Sequence, residues 1–186
     1  MGIGLTEEHQ ALAASVRGLA GRTVEHRALA AQGLLGLHLP EEHGGQGFGL
    51  VELCVALEAL GEQRAPGPYL PTALTSATLT RSALGGPALG GSVFGGSAFS
   101  GSALGGSALG GSAFGGKDLL GGLADGTLTA AVVLGDGGLA LGAAGADLFL
   151  VPVADGGWAL LDRSNVTAEP AEGIDLDRAL CTVTAV

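Results

Sequence analysis

Apolar residues in the first part of the chain recur at steps of three and four positions, which is the period of an α-helix. The first such face follows Thr6, a good N-cap, and the helix is predicted to end near Gly21. The face consists of Leu5, His9, Leu12, Val16 and Leu19. A second, shorter helix is predicted over about residues 24–35. The pattern indicates helices that pack through one apolar side.

A third helix is predicted over residues 50–60, with Gly61 placed to close it. Its apolar side is expected to consist of Val51, Cys54, Val55, Leu57 and Leu60. After a proline-rich connector at 65–72, Thr72 can cap a fourth helix that runs to about Leu79. Roughly the first 80 residues are therefore predicted to form an antiparallel helical half-domain.

The helical period gives way to β-branched and apolar runs after position 117. A short helix and turn are expected at 118–126, and residues 127–134 form the first clear strand. Further strands are predicted at 147–153, at 157–161, from Val166 and at 179–186. The predicted fold class is α+β, with an N-terminal helical half-domain followed by a small, truncated β-domain.

Residues 83–117 are seven consecutive pentapeptides of the type ALGGS and AFGGK. A period of five fits neither a helix nor a strand, and the glycines disfavour a helix. A flexible low-complexity insert and a pentapeptide-repeat β-helix both remain open, but seven units provide few stacking neighbours, which favours the insert. The predicted division is a helical domain at 1–82, the repeat insert at 83–117 and the β-domain at 118–186.

The charge of the chain excludes some classes of partner. With 18 acidic and 8 basic residues the formal net charge is −10, and no basic cluster could follow a nucleic-acid backbone. The sequence contains no run of about 18 apolar residues, so no membrane span is predicted. The first residues lack the basic-then-apolar order of a secretory signal peptide. Cys54 and Cys181 lie among apolar residues, as expected of buried thiols. A cytoplasmic location is predicted.

The densest glycine segment follows Pro40 and two glutamates, with Gly44, Gly45, Gly47 and Gly49 within six positions. Such density is expected where the backbone takes a positive φ or closely approaches another backbone or a ligand. Glu41 and Glu42 could act as general bases if they were buried, but in a turn beside proline they are expected to be solvated. No catalytic residue is predicted from this segment.

Two further motifs were considered for binding. Residues 135–140, G-D-G-G-L-A, fit the G-x-G-x-x-A dinucleotide fingerprint, but the next predicted strand begins too soon for a βαβ crossover. A glycine-rich hairpin is the preferred interpretation. The four histidines, which have neither the spacing nor the cysteine neighbours of a zinc site, are His9, His26, His38 and His43. No metal is predicted.

Several segments, in chain order, resemble the acyl-CoA dehydrogenases. L-H-L-P-E-E-H-G-G-Q-G at 37–47 looks like the P-E-x-x-G-G-x-G segment of that family. Further similar segments are the helix at 50–61, the connector A-P-G-P-Y-L-P-T at 65–72, and the runs at 123–134 and 145–153. The resemblance covers the N-terminal helical and middle β portions on both sides of the pentapeptide-type insert.

The resemblance implies an FAD-dependent enzyme that desaturates an acyl-CoA thioester between its α and β carbons. In the family, FAD lies between the β-domain and a C-terminal four-helix domain that carries the catalytic glutamate. That domain is not part of this sequence, and residues 135–144 do not show the T-E-x-x-x-G-S-D stretch that helps to hold flavin. Trp158 does not match a known flavin contact. No catalytic residue is therefore carried over, and the cofactor-binding residues are unknown.

The predicted function is thus that of an FAD-dependent acyl-CoA dehydrogenase-like protein that is incomplete, and inactive, as this chain alone. Two alternatives remain open. The chain could be a non-catalytic partner subunit of a heteromeric acyl-CoA dehydrogenase, or a structural interaction protein built on the pentapeptide repeats. The implied partners are an acyl-CoA substrate, of the fatty-acyl or steroid kind, and acyl-CoA dehydrogenase subunits in a homo- or hetero-oligomer.

Overall fold

The computed structural model describes residues 4–21, 25–83, 118–135, 138–152, 158–173 and 180–185. The helices in these ranges are α1 (Glu7–Ala20), α2 (His26–Ala30), α3 (Leu50–Glu62), α4 (Tyr69–Ala83) and α5 (Leu119–Ala124). The strands are β1 (Ala130–Leu134), β2 (Leu139–Leu141), β3 (Leu148–Pro152), β4 (Trp158–Asp162), β5 (Val166–Ala171) and β6 (Leu180–Ala185). The predicted α+β class is confirmed. The two interpretations of the repeats concern residues 84–117, which lie outside the described ranges.

Helices α1 and α3 run parallel to each other. Thr6 caps α1 as predicted, and the His9 ring accepts the Thr6 N–H at 3.1 Å. At the same end, His9 Nε2 lies 3.1 Å from Glu52 Oε1 of α3, and at the other end Arg17 pairs with Glu62. The chain between them returns to the end from which α1 starts, as expected when alternate helices of an antiparallel arrangement lie side by side.

Tertiary contacts also shift the boundaries and faces of the predicted helices. Helix α2 ends at Ala30, since Gly33 takes a φ of +75° that no helix tolerates. Helix α3 continues through Gly61, and it exposes Val51 and Cys54, which were expected on its apolar side. The residues of α3 that are buried are Leu53, Val55, Ala56, Ala59 and Leu60. Because α3 is apolar on most sides, only packing decides which side is buried.

Thr72 is an internal residue of α4 and not its cap, which corrects the sequence-based prediction. Its N–H donates to the Pro68 carbonyl at 3.0 Å, within the first turn of a helix that begins at Tyr69. Its side chain is buried, and its hydroxyl accepts the N–H of Ala130, the first residue of β1, at 3.2 Å. Thr72 therefore joins the helical part of the chain to the sheet.

Replacing Thr72 with valine is expected to lower the free energy of unfolding by about 1–3 kcal/mol, because the buried Ala130 N–H would lose its acceptor. Thr72→Ser is the matched control: it keeps the hydroxyl and removes one methyl group, for a loss of about 1 kcal/mol or less. Equilibrium urea unfolding of both variants measures the difference. If serine cost as much as valine, the hydrogen bond would not be the stabilising contact.

The strands form one mixed sheet in the order β4-β3-β1-β2-β6-β5. Only β1 and β3 are parallel among these neighbours, and β1 and β2 pair as an antiparallel hairpin with Leu134 opposite Leu139. Gly135 and Gly138 take positive φ values of 63° and 66° on either side of the turn. The hairpin interpretation of residues 135–140 is confirmed, and no helix follows β1 as a dinucleotide fingerprint would require.

The two faces of the sheet are buried in different ways. The helix-facing side packs Val132, Leu150 and Leu160 against Leu79 of α4 and against the leucines of α5. The other face has no α-helix against it in the described ranges; it is buried because the sheet curls into a half-barrel and because the 3₁₀ turn Ala143–Gly145 packs on it. Leu39, which precedes the glycine-rich segment, belongs to the first of these cores. The helical part and the sheet are thus packed together.

Candidate functional site

One register row of the helix-facing side crosses the sheet next to the row that packs against α4 and α5. We call it the sheet-end row, and it consists of Trp158 (β4), Pro152 (β3), Leu134 (β1), Leu139 (β2), Thr182 (β6) and Glu169 (β5). Leu134 and Pro152 lie two residues beyond the paired Val132 and Leu150, and alternation along a strand puts them on the same face. Four adjacent strands therefore contribute apolar residues to this row.

The sheet-end row is largely exposed, although on β1, β3 and β4 the row before it is buried. Val132, Leu150 and Leu160 are 3–5% exposed beneath the helices, whereas Leu134 is 51% and Leu139 45% exposed. Pro152 is exposed, whereas Trp158 is half-buried because it also packs against the core beneath α4 and α5. Large apolar side chains that stand together on a surface usually mark a place where another molecule binds.

We tested whether this end of the sheet suits FAD, the cofactor implied by the resemblance. A flavin ring needs polar groups for its ring nitrogens and oxygens, and its pyrophosphate needs cations or clustered N–H groups. The described residues between 130 and 146 are only alanine, valine, leucine and glycine. The basic side chain among the described residues of the strands and their turns is Arg163, which lies on the opposite face: its guanidinium is 5.6 Å from the centre of the Phe149 ring and donates to the Ala143 carbonyl. The described residues of this chain do not fit FAD.

A buried polar group lies where α4 meets the segment before Pro40. Ser76 Oγ lies 3.1 Å from His38 Nε2 and donates to the Ala73 carbonyl at 3.1 Å. Ser76 is 1% exposed. Although serine and histidine are in contact, the serine proton is directed to a carbonyl and no substrate can reach the hydroxyl. Burial lowers the pKa of His38, which keeps the imidazole neutral. This arrangement is structural.

His26 is the second histidine in a dry environment. Its ring stacks on Tyr69 with centroids 5.3 Å apart, and neither ring nitrogen has a hydrogen-bond partner within the described residues. Burial lowers the pKa of His26 and raises that of Tyr69, since both groups lose water that would solvate their charged forms. Neither side chain is placed to contact a substrate.

A cavity of about 640 Å³ lies between the end of α2, the turn after Pro40 and α5. Its polar rim includes Glu42, His43, Asp118 and Asp125, and its other walls are largely alanine and glycine. His43 Nδ1 lies 3.4 Å from Asp118 Oδ1. Among the described residues the rim carries carboxylates and no lysine or arginine, a lining that does not suit the phosphates of coenzyme A.

The glycine-rich segment folds back on the chain that precedes it. The N–H groups of Gln46 and Phe48 donate to the carbonyls of Gly36 and Leu37 at 2.9 and 2.8 Å. Gly44 and Gly47 take φ values of +74° and +68°, as glycine density predicts. Glu41 and Glu42 are exposed in a 3₁₀ turn at Glu41–His43, as expected of solvated residues.

The described ranges contain no group of three or more histidine, cysteine, aspartate or glutamate side chains that could hold a metal ion. No helix in the same part of the chain is long and apolar enough to cross a membrane. The sheet-end row was not predicted from the sequence. The leucines on both sides of residues 135–138 could have indicated it, because they flank a predicted turn.

Comparison with known proteins agrees with the resemblance inferred from the sequence. Residues 6–83 match the model of the acyl-CoA dehydrogenase N-terminal domain. A solved variant of the Tcur3481–Tcur3483 steroid ACAD is 25% identical, with a TM-score of 0.66 over 97% of this chain and 55% of that one. The ChsE4–ChsE5 complex from Mycobacterium tuberculosis is 22% identical, with a TM-score of 0.63 over 100% of this chain and 55% of that one. No curated protein matches.

A third solved structure, an acyl-CoA dehydrogenase complexed with FAD from Bacillus anthracis, is 15% identical, with a TM-score of 0.59 over 98% of this chain and 36% of that one. At such identity the likeness shows the fold alone. The chain spans about half the length of the first two structures. The part it shares with them is the helical and strand region described above.

Proposed function

Since the resemblance to acyl-CoA dehydrogenases is confirmed for the helical part and for the fold, we propose that this chain supplies the N-terminal helical and β portions of an acyl-CoA dehydrogenase-like protein. Desaturation removes a proton and a hydride from adjacent carbons, so a base and a flavin must be held together around the substrate. We assign neither the base nor the flavin contacts to this chain, which is inactive alone.

The absence of flavin contacts is inferred from the described residues between 130 and 146, whose side chains are all aliphatic or absent. The end of the sheet therefore offers a flavin no polar side chain from this segment. This favours the role of a non-catalytic partner subunit, whose assembly with a second acyl-CoA dehydrogenase subunit provides the flavin site. Two of the similar structures carry paired names, one of them called a complex and the other a steroid ACAD, so a steroid acyl-CoA is the first substrate to test.

Absorption spectroscopy tests the proposal on the purified chain. After incubation with FAD and removal of free cofactor, we expect no retained flavin absorption and no desaturation of a steroid acyl-CoA or a fatty acyl-CoA. Circular dichroism on the same sample checks that helices and strands are formed, so that the absence of flavin is not due to unfolding. Retained flavin, or turnover by the isolated chain, would contradict the proposal.

A further inference from the structure

We propose that the sheet-end row docks an amphipathic helix of a partner polypeptide, with a basic side chain of that helix beside Glu169. This inference rests on the proposed function, in which the chain works as one part of an assembly. It names the surface and the chemistry of the contact. The row is defined above by the strand register and by its exposure next to the row that packs against α4 and α5.

The size of the apolar part of the row fits one helix. Strands lie about 4.8 Å apart, so Trp158, Pro152, Leu134 and Leu139 span about 15 Å, which is the length of about ten helical residues. The neighbouring row is already covered by helices α4 and α5, whose leucines pack on Val132 and Leu150. An added helix would continue the same layer of helices over the next row of the same face.

The polar end of the row specifies the charge of the partner. Thr182 stands opposite Leu139 on one side and Glu169 on the other, and both polar residues are exposed. Along the row, the apolar side chains from Trp158 to Leu139 are followed by the hydroxyl of Thr182 and then by the carboxylate of Glu169. A helix with an apolar face and a lysine or arginine at one end is complementary to this order.

A second copy of the chain fits this surface less well. Two copies with a formal net charge of −10 each would repel one another, and neither would supply a basic group from the row itself. A flavin ring would fill the apolar part of the row but would find no polar side chain on β1 or β2. The row therefore favours a separate, basic amphipathic helix.

The tryptophan in the row provides a direct measurement, because Trp158 is the single tryptophan of the chain. The probe is a synthetic helix-forming peptide with a leucine and alanine face and a lysine at one end. On titration into the full chain, we expect Trp158 emission to shift to shorter wavelength. Leu134→Glu is expected to weaken binding at least about tenfold, because it places a charge in the centre of the apolar contact.

Leu74→Glu is the matched control, since Leu74 on α4 is 46% exposed, close to the 51% of Leu134, and the added charge is the same. It is expected to leave binding unchanged, and Leu139→Glu is a second test variant. Glu169→Lys is expected to weaken binding of the lysine peptide by about threefold and to strengthen binding of a peptide with glutamate in its place. Equal binding by Leu134→Glu and Leu74→Glu overturns the inference.

Two other results would also overturn it and would identify the occupant. A Trp158 shift that depends on protein concentration without peptide, and that Leu134→Glu abolishes, would indicate a second copy of the chain. FAD binding that Leu134→Glu abolishes would indicate a flavin, and it would contradict the proposed function as well. Failure of the peptide to bind, with no flavin bound, would leave the proposed function standing and reject only the docking surface.

Discussion

Gly45→Ala is expected to lower the free energy of unfolding by about 3 kcal/mol or more, which is enough to unfold a marginally stable chain. A Cβ atom added at Gly45 would overlap the backbone carbonyl of Leu39 and lie 2.6 Å from its side chain. Leu39 is fully buried and cannot move aside without opening the core beneath α5. The added atom therefore meets backbone and not the end of a flexible side chain.

The glycine-rich segment itself cannot relieve this overlap. Gly45 N–H donates to the Pro40 carbonyl at 3.1 Å, and Gly47 N–H donates to the Leu39 carbonyl at 2.9 Å. Gly36 approaches the segment from the other side, since a Cβ there would lie 3.2 Å from the Cα of Gly45. Moving residue 45 away from Leu39 would break these hydrogen bonds and close the gap to Gly36.

Equilibrium urea unfolding of Gly45→Ala and Gly61→Ala tests this expectation. Gly61 is an exposed residue of α3 with open space around its Cα, so alanine there is expected to stabilise the chain by about 0.5–1 kcal/mol. The two variants make the same chemical change with opposite expected signs. A Gly45→Ala protein as stable as the parent would show that the segment does not lie against Leu39.

The elements that the sequence predicted well are those whose signals are local. The cap at Thr6, the positive-φ glycines of residues 44–47 and the β-branched run of β1 are each readable within a few positions. Thr72 was misassigned because a threonine after a proline-rich connector looks like a cap, whereas its hydroxyl bonds to Ala130, which is 58 residues away in the chain. Such a partner cannot be found from neighbouring residues.

The candidate site depends still more on long-range pairing. Leu134 and Leu139 are close in sequence, but Pro152, Trp158 and Glu169 join their row only through the register of four further strands. Which of them are covered depends in turn on how α4 and α5 pack on the sheet. Neither the strand register nor the packing of helices on the sheet follows from local periodicity. The resemblance to the family therefore suggested a flavin-binding surface at this end of the sheet, whereas the folded sheet has an apolar one.

Phe149→Ala is expected to destabilise the chain by about 3–5 kcal/mol. Phe149, the second residue of β3, is fully buried on the face where the curled sheet and the 3₁₀ turn Ala143–Gly145 pack together. Its ring also holds the guanidinium of Arg163, which donates to the Ala143 carbonyl at 3.2 Å. Removing the ring would leave a cavity among the strand residues and the alanines that surround it.

Phe48→Ala is the matched control, because Phe48 is 55% exposed and its loss should change the free energy of unfolding by about 0.5 kcal/mol or less. Urea unfolding followed by circular dichroism measures both variants. Equal destabilisation by the two would mean that the curled face is not a dry core. A large loss confined to Phe149→Ala would instead show that the sheet is stabilised by its inner face, around the Phe149 ring.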